Sequence, residues 1–222
     1  MLPSLAASPD LPRPGPPKHK PETMSPRLPE AGTFEHLLEE ARVQAGTLVR
    51  LSRFPGTEPY WSRGRYRFDG PAAGTPGSFG SCYASDDLAV AFCESVIHEC
   101  AWFRNSRYEI PLADLTSRHV VQLHRPAAPE LVLADLTGKA LKVLGLNNDI
   151  SAGNDYTMPM AWAKAIHTAD IKWDGIRYVS RQHNDGYAVA LFERSAVTKA
   201  RSHKLAGKAL AKLCDAFRIA AI

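Results

Sequence analysis

Proline decides where this chain can begin to fold. Nine of its 17 prolines fall in residues 1–32 of a 222-residue sequence, including the run Pro12-Arg13-Pro14-Gly15-Pro16-Pro17. Proline lacks the backbone donor and fixes φ, so such a run supports neither a helix nor a strand ladder. The composition predicts a disordered or polyproline-like tail over 1–32. Met24, inside it, offers a second start for translation. What remains is enough for one medium domain with a sizeable core.

The body, residues 33–195, alternates short apolar runs with turn residues. Thr33 reads as a helix cap, with Phe34, Leu37, Leu38 and Ala41 on one face of a short helix. Strands are predicted at 47–52, 78–84, 108–112, 120–123, 131–133, 175–180 and 187–192. Residues 55–76 form a long loop rich in Gly, Pro and Arg, a length that is usually functional or disordered. Asp86 and Asp87 can cap a helix running to about His98. Thr137 starts another, and Pro159 suits the first turn of a third. Helices and strands interleave without strict alternation, which predicts an α+β fold with a mixed central sheet flanked by helices.

Residues 196–222 read as a basic amphipathic helix, with Leu205, Ala209, Leu213 and Phe217 recurring every fourth position. From Ser195 onward six cationic residues face only Asp215, more than the whole chain's net charge of +4. The body is therefore near neutral. A basic end can touch nucleic acid or an acidic partner, or be a solvated face. The four cysteines lack the spacing of a zinc ribbon or redox motif and suit buried, reduced thiols. No secretory signal is evident, and no apolar run reaches the ~20 residues of a membrane helix. The expectation is a cytoplasmic protein away from membranes.

Three widely spaced stretches carry candidate chemistry: Leu48-Val49-Arg50-Leu51-Ser52-Arg53, Tyr83 to Glu94, and Gly175-Ile176-Arg177-Tyr178-Val179-Ser180-Arg181. Arg50, Glu94 and Ser180 sit at the edges of apolar runs, where a pocket can form. Guanidinium groups bind phosphate bidentately and stay charged. A half-buried carboxylate supports a cationic sugar carbon. Arg50, Arg53 and Arg67 are the candidate phosphate ligands, and the sequence leaves open which of Arg50 and Arg53 serves. Tyr83 can stack on a base. Ser180 can orient a ribose or carboxamide, and Asn184 lies just beyond it. Each has a structural reading too: loop hydrogen bonds for the arginines, a surface carboxylate for Glu94, a core tyrosine for Tyr83. His98-Glu99 lacks the second histidine of a zinc helix, and neither a P-loop nor a Rossmann glycine pattern is present, so no metal or redox cofactor is expected.

These stretches, with Arg67-Phe68-Asp69, Gly80-Ser81-Cys82-Tyr83, Ala91-Phe92-Cys93-Glu94, and Tyr156, Trp162 and Ala163, resemble the RES family, named for its Arg, Glu and Ser. The resemblance runs from about Leu48 to Phe192. It implies a fold like that of ADP-ribosyltransferases. It implies an enzyme that takes NAD as substrate and splits the nicotinamide–ribose bond, by phosphorolysis with inorganic phosphate as co-substrate. It also implies a toxin paired with an Xre-like DNA-binding antitoxin, as a homo-oligomer or a hetero-oligomer with it. On this reading Glu94, Arg50 and Arg67 are catalytic, and Tyr83, Ser180, Arg53 and Asn184 hold the substrate. ADP-ribosylation of a protein needs the same pocket and is the first alternative. A non-catalytic module binding nucleic acid or protein is the second.

Overall fold

The computed structural model describes residues 27–30 and 32–222. Most of the predicted 1–32 tail lies outside the described residues. Its described end touches the body: the Trp162 indole N–H donates to the Arg27 carbonyl at 3.0 Å.

Eleven strands form three sheets among the described residues. They are β1 (Glu40–Gln44), β2 (Val49–Ser52), β3 (Ser81–Ala84), β4 (Trp102–Arg104), β5 (Arg107–Ile110), β6 (His119–His124), β7 (Glu130–Leu136), β8 (Gly175–Val179), β9 (Tyr187–Phe192), β10 (Thr198–Lys204) and β11 (Ile219–Ala221). The central sheet has the order β1-β7-β8-β9-β3. Its β7–β8 pair is parallel and its other pairs are antiparallel. The smaller sheets run β10-β6-β2 and β11-β5-β4. The fold is the expected mixed α+β.

Side-chain alternation makes the layers. On β9, Ala188, Ala190 and Phe192 face a core shared with the helix Thr157–Thr168 through Trp162, Ala163 and Ile166. Val189 and Leu191 face the opposite core, with Val121 and Leu123 of β6. Gly175 opens β8 where the backbones crowd, since a Cβ there would lie 2.4 Å from the Ala190 carbonyl oxygen. A third core joins Phe92 and Val96 to Ile110 of β5 and Leu213 of the helix Gly207–Ala216.

Two local expectations are corrected. Residues 34–41 are not a helix. A 3-10 turn at Glu35–Leu37 leads into β1, where Ala41 pairs with Leu133 of β7. Ladder pairing of a five-residue segment outweighs a weak helical period. The basic C-terminal segment is not one helix either. Thr198–Lys204 is strand β10, paired with β6, and only Gly207–Ala216 is helical. The β4 strand was not foreseen. Its residues are exposed on both faces, so they show none of the alternation that signals a half-buried strand.

Candidate functional site

Asp87 starts the helix that carries Glu94, its Oδ1 accepting from the Ala89 amide at 2.7 Å. The α-helical turn Leu88–Phe92 then widens into a π-helical turn, Cys93–Ile97, before His98–Cys100. Such π turns recur at functional sites because they rotate the next side chains onto a new face. Glu94 lies inside this one, half-buried.

Ser180 follows β8 and reaches Glu94 across 86 residues of sequence. Its Oγ donates to Glu94 Oε1 at 2.6 Å and accepts from the His183 amide at 3.1 Å. Ser180 is 0% exposed. Its only proton is committed to the carboxylate, and its oxygen is closed to an incoming ligand. In this arrangement Ser180, closed to solvent, is bonded to Glu94 and fixes its position. The carboxylate's second oxygen has no hydrogen-bond donor among the described residues.

Arg67 approaches the same carboxylate from the long loop. It is buried, with its guanidinium 4.8 Å from the Tyr156 ring centre. Among the described residues its one side-chain hydrogen bond is a long one, 3.4 Å, to the Ile150 carbonyl. No carboxylate pairs with it among the described residues. Burial lowers its pKa, Tyr156 counters that, Arg181 lowers it further, and Tyr178 and Glu94 raise it. Arg181 is likewise held by neutral groups, its Nη1 donating to the Ala152 carbonyl at 2.9 Å and to Asn154 Oδ1 at 3.1 Å. Arg67 thus lies in the field of the Glu94 carboxylate and of a second guanidinium, and neither arginine has an ion pair among the described residues. The local excess of positive charge suits an anion. Tyr178 packs beneath, on Phe68, and is pushed well above its ordinary pKa by burial and then by Glu94. Beside Glu94 the Cys93 thiol is pushed up to about 12, by burial and then by the charges of Glu94 and Asp87, so it is no nucleophile at neutral pH.

The loop that carries Arg67 is organised by Asp69, which is fully buried. Its two oxygens accept from Ser62 Oγ (2.7 Å), the Tyr83 hydroxyl (3.0 Å) and the Arg65 and Tyr66 amides (3.0 and 2.9 Å). Tyr83 is therefore a clamp. Its hydroxyl also accepts from the Phe68 amide at 2.9 Å, and its pKa stands well above the ordinary value through burial and then Asp69. The Tyr66 ring meets it edge-on at 5.7 Å.

The other arginines are engaged elsewhere. Arg50 Nε lies 3.1 Å from Glu58 Oε2, whose side chain is 2% exposed, and its Nη1 meets Cys82 Sγ at 3.0 Å. The Nε–Glu58 contact is an ion pair by distance but is not aligned as a hydrogen bond. Burial opposes the Arg50 charge, and Cys82 and Glu58 more than offset it. Arg53 pairs with Asp114 at 2.6 Å and touches Cys100. Asn184 is exposed in the turn between β8 and β9. Of the predicted set, Glu94, Ser180 and Arg67 form one constellation, with Tyr83 setting the loop beneath. Arg50, Arg53 and Asn184 have no direct contact with that constellation. Arg181, Tyr178, Tyr156 and Asp69 were present among the motif residues but were given no site role, because their roles depend on partners distant in sequence. A separate cavity of about 210 Å³ is lined by Arg42, Asp86, Arg177 and Tyr187. Its arginines are already paired, with Glu40, Glu130 and Asp135.

An α+β domain with a buried arginine, a half-buried glutamate and a serine bonded to it defines a class: a small domain with a charged cluster built from Arg, Glu and Ser. Comparison gives the family. The RES domain matches residues 42–208, three quarters of the chain, and the chain belongs to the RES domain family. No curated protein matches it. Among solved structures, it is similar in fold to a chain of the M. tuberculosis MbcT–MbcA toxin–antitoxin complex. The TM-score is 0.51 at 15% identity, covering 79% of this chain and 91% of that one. Among the described residues, no helix is long and apolar enough to cross a membrane.

Proposed function

We propose that this protein is the toxin of a toxin–antitoxin pair and that it cleaves the nicotinamide–ribose bond of NAD by phosphorolysis. The observation that carries the reading is Arg67, buried in the field of Glu94 with a second guanidinium, Arg181, acting on it, and neither arginine paired with a carboxylate among the described residues. The C–N bond breaks, and nicotinamide leaves as a neutral ring with the bonding pair, so it needs no general acid. Positive charge develops on the ribose carbon, and Glu94, fixed by Ser180, stabilises it. A phosphate oxygen then forms the new bond to that carbon, giving ADP-ribose 1″-phosphate. The guanidinium groups hold phosphate, of the dinucleotide or of the attacking ion. Membership of the RES family supports the enzymatic reading, and the toxin–antitoxin complex of the structural relative supports an antitoxin partner, for which an Xre-like DNA-binding protein is the candidate.

Incubation with NAD, with and without inorganic phosphate, followed by product mass, tests this. Loss of NAD with a phosphorylated product supports it. Free ADP-ribose would mean hydrolysis, and label on a protein would mean ADP-ribosyl transfer. No NAD loss by folded, partner-free protein under either condition overturns the enzymatic reading.

A further inference from the structure

The strand that the sequence did not reveal has an unusual edge. β4 is the outer strand of its sheet, with Trp102 50% and Phe103 66% exposed. Four of the five other sheet edges are protected in ordinary ways. β1 carries Glu40 and Arg42, and β10 carries Lys199, Arg201 and Lys204 with a register shift between Lys199 and Arg201. β2 and β3 are bridged by Ser85 and Ser62. Charge, bulges and cover are the usual defences against edge pairing. β4 carries one charge, Arg104, and is otherwise aromatic and uncovered among the described residues.

The hairpin geometry decides which backbone groups are available. Asn105 and Ser106 are both left-handed, at φ 49° and 59°, and close a two-residue turn. The register is Trp102↔Glu109, Phe103↔Tyr108 and Arg104↔Arg107. In such a turn the flanking pair, Arg104 and Arg107, exchanges both backbone hydrogen bonds, and the next pair does not. The Phe103 N–H and C=O therefore point away from β5, to the free edge. The next outward donor, the Ala101 N–H, is already bonded to the Ile97 carbonyl at 3.2 Å.

We propose that β4 is a self-pairing edge, onto which a second copy of this chain adds its own β4 antiparallel, across a two-fold axis at Phe103. This register joins outward groups that are strand backbone on both sides: Phe103 exchanges both bonds with its equivalent. The flanking pairs are then Trp102 opposite the partner's Arg104 and Arg104 opposite the partner's Trp102. Both fall in the non-hydrogen-bonded position, where side chains come closest. A guanidinium over an indole face is the most favourable cation–π pair, and the two-fold makes it twice. Centring on Arg104 would set the two arginines against each other and ask Phe103 to bond the partner's Asn105, whose left-handed backbone belongs to the turn. The Phe103 ring, edge-on to Tyr108 at 5.1 Å, is covered in the same step. This surface belongs to the hairpin and does not depend on the proposed activity.

Two measurements on the full chain test it. In sedimentation over a concentration series, the wild-type mass should rise from 24.3 kDa toward twice that value. Phe103→Pro, which removes the outward donor, and Trp102→Ala should stay monomeric with unchanged circular dichroism. In the second measurement, Trp102→Cys and Arg104→Cys proteins are mixed under mild oxidation. The register predicts a covalent dimer in the mixture and little in either variant alone beyond the wild-type background. A wild-type protein that remains monomeric at its highest soluble concentration would overturn the proposal. So would a dimer indifferent to both substitutions, or cross-linking equally strong in each single variant.

Discussion

Replacing Ser180 by alanine isolates what fixes Glu94. The substitution removes one oxygen from a site closed to solvent, so little cavity opens. It deletes a 2.6 Å hydrogen bond to a carboxylate and a 3.1 Å bond from the His183 amide. A hydrogen bond to a charged group contributes about 1.5–3 kcal/mol. If Ser180 holds Glu94 against the developing charge, that difference falls on the barrier, and turnover drops about 10- to 150-fold. KM should hardly change, because the hydroxyl does not reach the substrate. The neutral bond to His183 adds about 1 kcal/mol of lost stability, a few degrees in Tm. The assay is NAD consumption at saturating substrate beside a thermal melt, with Glu94→Gln as reference. Glu94→Gln keeps the shape, loses the charge and should fall by about 10²-fold or more. Turnover of Ser180→Ala within twofold of wild type, with Glu94→Gln inactive, would refute the positioning argument. A lowered Tm with full activity in the folded protein would make the bond purely structural.

Arg50 and Arg67 should separate by phenotype. Arg50→Ala leaves the Glu58 carboxylate buried without its partner and should cost about 3–5 kcal/mol of stability, read by denaturant unfolding. Arg67→Lys keeps the charge but loses the planar fork, and should weaken use of NAD or phosphate by about 1–3 kcal/mol with Tm nearly unchanged. Arg53→Lys should have little effect on either, since its pair with Asp114 is part-exposed. His167 lies flat on Phe79 at 3.9 Å, and its pKa is lowered to about 4 by burial, then by Arg194 and Lys172. The folded state therefore disfavours its protonation. That contribution to stability is full above pH 6.5 and is lost as pH falls toward about 4. Partial exposure reduces it to about 1–2 kcal/mol. Melts from pH 7 to 4 should show this slope, and His167→Gln should flatten it. A chain starting at Arg27 should keep the wild-type Tm, whereas one starting at Thr33 leaves the Trp162 N–H without its acceptor and should lose about 1–3 kcal/mol.

The sequence by itself determined the inventory. Short apolar runs marked β6 to β9: β9 is buried on both faces and is apolar nearly throughout, while β6 and β8 keep a polar residue between buried ones. Asp87 announced the Glu94 helix because capping is a local interaction. The order of the Arg, Glu and Ser motifs was legible because the residues themselves carry the chemistry. Partnership was not legible. Arg50 and Arg67 are the same residue type at the edges of comparable segments. They diverge because the Val49–Ser85 bridge sets β2 beside β3, with Cys82 and Glu58 at hand, while Asp69 folds the loop so that Arg67 lies on Tyr156. Ser180 meets Glu94 only because β8 lies inside the central sheet, with the Glu94 helix near its end. The same holds for β1 and β10, whose local patterns are helical or polar and whose strand form comes from ladders with β7 and β6. Local preferences differ by tenths of a kilocalorie per residue, about the scale of side-chain pairs along a helix, whereas a completed ladder satisfies a row of backbone groups at once. Where the two disagreed, strand order decided, and strand order is a property of the whole chain.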